Sequence, residues 1–174
     1  ILGKIKEEKA FNKLKEITNS TKLSFVDKYF RPDLPEDLVN DKTEWLSNYD
    51  IEEVLRKHVS AMNDFYFYGA TPIDFHKCSV NNDLCKINII DHKKKKENKI
   101  GIVFNTDDSD GPGKHWMSMY IDILGKNLED QPGIYFFDSF GSKPPKEIKD
   151  LIKKIKKQSK ELDIEFVVSH NDKS

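Results

Sequence analysis

Residues 100–145 read IGIVFNTDDSDGPGKHWMSMYIDILGKNLEDQPGIYFFDSFGSKPP, and they carry the clearest secondary-structure signals of the chain. Apolar runs bounded by polar, glycine-containing loops are typical of β-strands. They predict three strands, over residues 99–105, 115–123 and 133–139. Two prolines then precede a predicted helix over residues 145–160, in which four apolar side chains at helical spacing should face inward: Ile148, Leu151, Ile152 and Ile155.

The flanking segments give further elements. A charged amphipathic pattern predicts a helix over residues 4–18, and a second helix begins near residues 47–50, with Asp50 or Asn48 expected as its N-cap. We also predict an extended aromatic stretch over residues 63–75, a solvated lysine loop over 93–96 and a last strand over 162–168. This order predicts an α+β fold, with a helical N-terminal arm over residues 1–40 and one domain over 41–174.

Composition limits the functional classes. The 174 residues include 29 Lys and Arg and 30 Asp and Glu, for a net charge of −1. A dedicated DNA-binding protein would be clearly basic, so we expect nucleic acid at most as an activator. No apolar run is long enough to span a bilayer, so no membrane association is expected. Two cysteines are too few for a disulfide scaffold, which favours a reducing, cytoplasmic location.

His115 and Asp138 are the candidate catalytic residues. If the second and third predicted strands pair antiparallel with residue 121 opposite residue 132, His115 lies opposite a position near 138. A carboxylate beside an imidazole fixes the ring tautomer and stabilises the imidazolium, as the base and its orienting group do in a nucleophilic triad. A histidine beside a turn is also often an ordinary structural residue, and the spacing alone identifies no nucleophile.

Several segments resemble one known family, at residues 45–51 (WLSNYDI), 67–75 (FYGATPIDF), 101–105 (GIVFN), 115–122 (HWMSMYID) and 135–141 (YFFDSFG). Together with Pro144 they resemble the Ulp1-like cysteine peptidases, in particular their branch in large DNA viruses, of the African swine fever virus and mimivirus type. The similarity runs over about residues 44–171. The resemblance implies a papain-like or adenoviral-protease-like fold, in which helices pack against a central mixed or antiparallel sheet.

The resemblance also implies roles for individual residues. His115 would be the general base and Asp138 its orienting carboxylate, and no metal or organic cofactor would be needed. In the family a Gln and then a Cys-Gly pair follow the last helix and strand, and Asn171 resembles the Asn just before them. The sequence given ends at Ser174 and contains neither the Gln nor the Cys-Gly pair after Asn171. We therefore expect a fragment whose nucleophile lies beyond residue 174. Trp116 and Trp45 are expected to form walls of the substrate groove.

The implied reaction is cleavage after small residues, of the Gly-Gly-x type, in viral structural polyproteins or ubiquitin-like proteins. The expected place of action is the host cytoplasm or the virion, and the oligomeric state is left open. One alternative is a pseudo-protease that has lost its nucleophile and binds a ubiquitin-like or capsid partner. Another is an unrelated α+β scaffold, in which His115 and Asp138 would lie far apart.

Other reactive side chains have simpler interpretations. Cys78 and Cys85 precede Asp138, whereas the family's nucleophile follows it, so we expect inert structural thiols. Together with His76 and His92 they lack the compact spacing of a zinc knuckle, and no zinc site is expected. A further group of carboxylates does not match an EF-hand loop and is interpreted as a solvated acidic loop: Asp107, Asp108 and Asp110.

Overall fold

The computed structural model describes residues 45–78, 83–126 and 131–172. The helix predicted over residues 4–18 and the arm predicted over residues 1–40 lie outside these ranges. The described residues from Ser47 onward form one compact unit.

That unit contains three helices, five strands and two short 3₁₀ turns among the described residues. The helices are α1 (Asn48–Ala61), α2 (Ile89–Lys94) and α3 (Lys146–Glu161). The strands are β1 (Phe65–Thr71), β2 (Lys99–Asn105), β3 (Trp116–Asp122), β4 (Gly133–Asp138) and β5 (Val167–His170). The 3₁₀ turns are Ile73–Lys77 and Asp83–Lys86. None of these helices is long and apolar enough to cross a membrane.

The five strands form one mixed sheet in the order β1-β2-β3-β4-β5. β2, β3 and β4 are antiparallel to one another, whereas β1 and β5 pair in parallel with β2 and β4 at the two edges. A mixed sheet with helices confirms the predicted α+β fold with its central sheet.

The core lies on the face of the sheet that α3 covers. Alternate residues of β2, β3 and β4 are buried there, and the apolar stripe of α3 packs in the same cluster. This stripe contains the four residues predicted to face inward: Ile148, Leu151, Ile152 and Ile155. Burying such side chains contributes about 1.5–3 kcal/mol each. Helix α1 packs against β1 at the edge of the sheet.

The pairing of β3 with β4 differs from the predicted register by two residues. Ile121 lies opposite Ile134, and Met117 lies opposite Asp138. The ladder starts at Gly133 rather than Pro132, because proline has no amide hydrogen to donate. A shift of two residues keeps every side chain on its predicted face, since side chains alternate with a period of two.

The N-cap of α1 is Ser47, so the prediction of Asp50 or Asn48 was wrong. The Ser47 side chain accepts a hydrogen bond from the Asp50 amide at 3.3 Å, and the Asp50 carboxylate accepts one from the Ser47 amide at 2.7 Å. This reciprocal pair is a capping box, which requires an acceptor three residues after the cap. Asp50 therefore supports the helix from its third position.

Two boundaries near lysine-rich segments also differ from the predictions. Lys93 and Lys94 belong to the last turn of α2, a helix that begins where the Asn88 side chain accepts from the Ile90 and Asp91 amides. The last strand begins at Val167 rather than residue 162. After α3 the chain passes through Asp163 with a φ of 56°, and the Ile164 amide returns to the Ser159 carbonyl oxygen. This helix-ending turn keeps residues 162–164 out of the sheet.

Cys78 and Cys85 form a disulfide, with their Cα atoms 5.5 Å apart, so the expectation of two separate thiols was wrong. Cys78 directly follows the first 3₁₀ turn and Cys85 lies in the second, and these two turns pack against each other and bring the sulfur atoms together. Within the described ranges, no group of three or more His, Cys, Asp or Glu side chains could hold a metal ion.

His92 is buried in a hydrogen-bonded chain that ties β1 to α2 and the turn after it. Its Nδ1 lies 2.6 Å from a Glu97 carboxylate oxygen, and its Nε2 lies 2.7 Å from the Tyr68 hydroxyl. A carboxylate only accepts, so Nδ1 carries the proton and Nε2 accepts from Tyr68. Burial raises the pKa of Tyr68, which keeps its hydroxyl a donor.

We predict that Tyr68→Phe destabilises the domain by about 1–3 kcal/mol, because it leaves the buried Nε2 of His92 without its donor. Urea unfolding followed by circular dichroism measures the change. The matched control is Tyr49→Phe, since Tyr49 is 79% exposed on α1 and its loss should change little. Equal stability of Tyr68→Phe and wild type would contradict this role for the hydrogen bond.

Candidate active site

His115 and Asp138 meet as diagonal neighbours at the end of the sheet. Asp138 ends β4 directly opposite Met117, and His115 precedes Met117 by two residues, which places it on the same face. The Thr106 amide donates to the His115 carbonyl oxygen at 2.8 Å, so the β2–β3 ladder extends to His115. The two-residue difference in register thus leaves the predicted pair within side-chain reach.

The imidazole of His115 is held by one of its two nitrogens. Its Nε2 lies 2.5 Å from Oδ1 of Asp138. Because an ionised carboxylate can only accept, Nε2 carries the proton and the neutral ring keeps a free lone pair on Nδ1. Nδ1 makes no hydrogen bond within the ranges that the structure describes. The His115 side chain is 23% exposed and that of Asp138 only 3%, so the base is reachable while its partner is shielded.

The Asp138 carboxylate is saturated with donors. Besides His115, its Oδ1 accepts from the Phe140 amide at 3.0 Å and its Oδ2 accepts from the Ser142 amide at 3.2 Å. Burial alone would raise the pKa of Asp138, but the hydrogen bonds from His115, Phe140 and Ser142 outweigh it and lower the pKa below its ordinary value of 3.8. Asp138 is therefore an anion at neutral pH and able to stabilise an imidazolium.

A tight turn after β4 supplies these amide donors. The Gly141 amide donates to the Asp138 carbonyl oxygen at 2.8 Å, and Gly141 has a φ of 64°, a left-handed conformation that favours glycine. The turn folds residues 140–142 back over the carboxylate. The sequence pattern did not predict this function of the Ser-Phe-Gly-Ser segment, although an Asp followed two or three residues later by Gly is a common turn signal.

Asn171 holds the backbone of Asp138 from the next strand. Its side-chain amide nitrogen donates to the Asp138 carbonyl oxygen at 2.7 Å, and its side-chain oxygen accepts from the Asp138 amide at 2.9 Å. β5 runs parallel to β4 as far as His170, and Asn171 extends that pairing with its side chain. In the sequence, Asn171 stands out only through its resemblance to a family position, and this contact was not predicted.

The loop before His115 is more ordered than the predicted solvated acidic loop. Asp107 is buried, and its Oδ1 lies 2.7 Å from Nζ of Lys114. Asp74 accepts from both the amide and the hydroxyl of Ser109, at 3.0 and 2.9 Å. Asp108 and Asp110 are exposed. The two buried carboxylates therefore bind the loop internally and fix the approach of the chain to His115.

The two tryptophans predicted to line a groove occupy different settings. Trp116 is the first residue of β3, directly after His115, and is partly buried. Trp45 precedes α1 and is 69% exposed. Trp45 lies outside the compact unit that contains His115. The groove roles of both residues remain predictions.

This arrangement can take a proton at Nδ1 of His115 and stabilise the resulting cation through Asp138. The close contact between the two side chains argues against the alternative of an unrelated scaffold, which required them to lie far apart. Both cysteines of the chain are in the disulfide, so the sequence contains no free thiol to pair with His115.

Comparison with known proteins identifies viral thiol and cysteine proteases as relatives. No protein-family model matches the chain. A thiol protease of Acanthamoeba polyphaga mimivirus is 35% identical over 115 residues, which cover 64% of this chain and 35% of the relative. A cysteine protease of African swine fever virus is 30% identical over 129 residues, covering 68% of this chain and 46% of the relative.

The chain is a homologue of the cysteine proteases of large DNA viruses. The predicted resemblance to the viral branch of the Ulp1-like peptidases is thereby confirmed. The matched regions are less than half of the length of either viral relative. The crystal structure of the African swine fever virus protease in its selenomethionine form shares the fold, with a TM-score of 0.60 and 20% identity over 95% of this chain and 70% of that one.

The low pKa of Asp138 gives this homologue of the viral proteases a predictable acid response. A carboxyl group whose pKa is lowered by folding stabilises the protein above its unfolded pKa and loses that contribution as the pH falls through its folded pKa. We predict that Asp138→Asn is less stable than wild type at and above about pH 5, and that this stability difference shrinks as the pH falls below the ordinary aspartate range.

Urea unfolding of both proteins between pH 7 and acid conditions measures this difference. The control is Asp108→Asn, because Asp108 is exposed in the same region. A difference that already disappears near neutral pH would show that the Asp138 carboxylate is not the stabilised group.

Asn171 gives a second prediction. Asn171→Ala removes both side-chain hydrogen bonds to the Asp138 backbone and should lower the free energy of unfolding by about 1–3 kcal/mol. Hydrogen exchange should show faster exchange of the Asp138 amide, which would then lack its acceptor. The matched control is Asn98→Ala, since the one hydrogen bond of the Asn98 side chain within the described ranges goes to the Lys96 carbonyl oxygen, far from Asp138 in the sequence. Unchanged exchange at Asp138 would rule out this clamp.

Proposed function

We propose that this chain forms the general-base half of a cysteine endopeptidase, with His115 as the base and Asp138 as the orienting carboxylate. The observation that carries the proposal is the 2.5 Å contact between Nε2 of His115 and Oδ1 of Asp138, on the fold of a viral cysteine protease. This contact leaves Nδ1, the other ring nitrogen, available to a nucleophile.

The nucleophile in this proposal is a cysteine outside the 174 residues. Both cysteines of the chain are joined to each other, and the viral relatives extend well beyond the matched region. Nδ1 of His115 takes the thiol proton, and the thiolate attacks the substrate carbonyl to form a tetrahedral intermediate. The imidazolium of His115 gives the proton to the amine as the C–N bond breaks, which leaves an acyl-enzyme, and His115 later activates the hydrolytic water. A Gln side chain and a backbone amide would stabilise the oxyanion, each contributing about 3–4 kcal/mol.

The proposed substrates are proteins cut after small residues of the Gly-Gly-x type, in viral structural polyproteins or ubiquitin-like proteins. Glycine suits a narrow groove, and Trp116, beside His115, is the proposed wall of that groove. The description of African swine fever virus relatives as SUMO-1 cysteine proteases supports the ubiquitin-like class. The proposed place of action is the host cytoplasm or the virion.

We predict that His115→Ala abolishes peptide cleavage by the complete gene product, because no base remains to ionise the thiol. Asp138→Asn should lower kcat by about 10³-fold or more, because an amide favours the wrong tautomer of the imidazole. Hydrolysis of a fluorogenic Gly-Gly peptide measures both rates.

Two matched controls distinguish the loss of a catalytic group from a general effect of removing a His or Asp side chain. His76→Ala and Asp150→Asn remove exposed side chains of the same types on the first 3₁₀ turn and on α3, and both should retain wild-type rates. Cleavage by His115→Ala at a near wild-type rate would overturn the assignment of the base.

The absence of a free thiol from this chain also fits a pseudo-protease that binds a ubiquitin-like or capsid partner. Sequencing the coding region that follows codon 174 distinguishes the two functions. A Gln and then a Cys-Gly pair ahead of an apolar helix would support the protease. A stop codon or a helix without cysteine would support the binding module, whose partner a pull-down with the 174-residue chain would then identify.

A further inference from the structure

The ring of Phe140 covers one face of the His115 imidazole. The two ring centroids are 4.5 Å apart and the ring planes differ by 28°, which is a stacked arrangement. Offset-stacked rings at this separation attract each other beyond their apolar area. The contact lies on the same imidazole that Asp138 holds, so two independent interactions restrict one ring.

The backbone of Phe140 takes part in the same arrangement. Its amide donates to Oδ1 of Asp138 at 3.0 Å, and this is the oxygen that accepts from His115. Phe140 therefore binds the carboxylate through its amide and covers the imidazole through its side chain. The turn closed by Gly141 sets this double contact, since it directs residue 140 back over the end of β4.

Phe140 is 66% exposed, so burial in the core does not explain its position. A large apolar side chain at the surface gains little from the hydrophobic effect unless a neighbour covers it. The neighbour here is the imidazole. Phe137, three residues earlier in β4 and 55% exposed, makes no ring contact with His115 among the described residues.

We propose that Phe140 is a positioning residue for His115. Its ring fixes the rotation of the imidazole, shields the hydrogen bond between His115 and Asp138 from water, and so keeps the proton on Nε2 and the lone pair on Nδ1. The consequence for peptide cleavage rests on the function proposed above, whereas the effect on the imidazole does not.

The first test uses proton NMR of the 174-residue chain. The Nε2 proton of His115 should give a downfield resonance, assigned by its loss in His115→Ala. In Phe140→Ala this resonance should broaden through exchange with water, and it should persist in Phe140→Tyr, which keeps the ring. Phe137→Ala is the matched control and should leave the resonance unchanged. A sharp resonance in Phe140→Ala, or its loss in Phe137→Ala as well, would overturn the proposal.

The ring nitrogen shifts of His115 in the same samples report the tautomer directly. Wild type and Phe140→Tyr should hold the proton on Nε2, whereas Phe140→Ala should show a mixture of tautomers. Phe140→Leu is the second variant if Phe140→Ala does not fold, because it keeps apolar volume but lacks a planar ring. The same single tautomer in all variants would contradict the positioning role.

In the complete gene product, Phe140→Ala should lower kcat about two- to tenfold with KM unchanged. Phe140→Tyr, which keeps the ring, should retain the wild-type kcat. A change in KM alone would assign Phe140 to substrate contact and overturn the proposal. The NMR outcome does not depend on cleavage, so a failure of the protease assignment and a failure of the Phe140 proposal give different results.

Discussion

A single buried carboxylate, that of Asp138, organises one end of this domain. A charge removed from water needs several hydrogen bonds to remain ionised, and Asp138 receives them from His115, Phe140 and Ser142. These donors come from the residue just before β3 and from the turn after β4. The need to satisfy one anion therefore determines both the shape of the turn and the orientation of the imidazole.

The surrounding structure keeps this carboxylate in place from two further directions. On the β5 side, the Asn171 side chain binds the backbone amide and carbonyl groups of Asp138. The Asn171 side chain thereby continues the hydrogen bonding between β4 and β5. On the β2 side, Asp107 and Asp74 bind the loop that leads into His115. Pre-organised groups lower the cost of reaching a reactive geometry. The site is thus built on strand ends and on loops held by internal hydrogen bonds.

Local sequence pattern was enough for most of the fold. Alternating apolar residues located β2, β3 and β4, and helical spacing located α3 and its buried stripe. These elements could be predicted because their apolar side chains repeat with the period of the strand or helix that buries them. Errors arose where a cap, a turn or a disulfide set the boundary. Ser47, Asn88 and the turn at Asp163 act through hydrogen bonds that hydrophobic periodicity does not record, and the Cys78–Cys85 bond depends on two 3₁₀ turns meeting in space.

For the site, the order and spacing of the predicted strands were sufficient to pair His115 with Asp138, and the resemblance of the quoted segments to a known family indicated a cysteine protease homologue. The register error did not matter, since a two-residue shift preserves the face and leaves a diagonal contact within reach. Folding alone decided which ring nitrogen meets the carboxylate, that Asn171 clamps its backbone and that Phe140 stacks on the imidazole. These contacts join segments up to 33 residues apart, so they depend on how strands and turns meet in three dimensions.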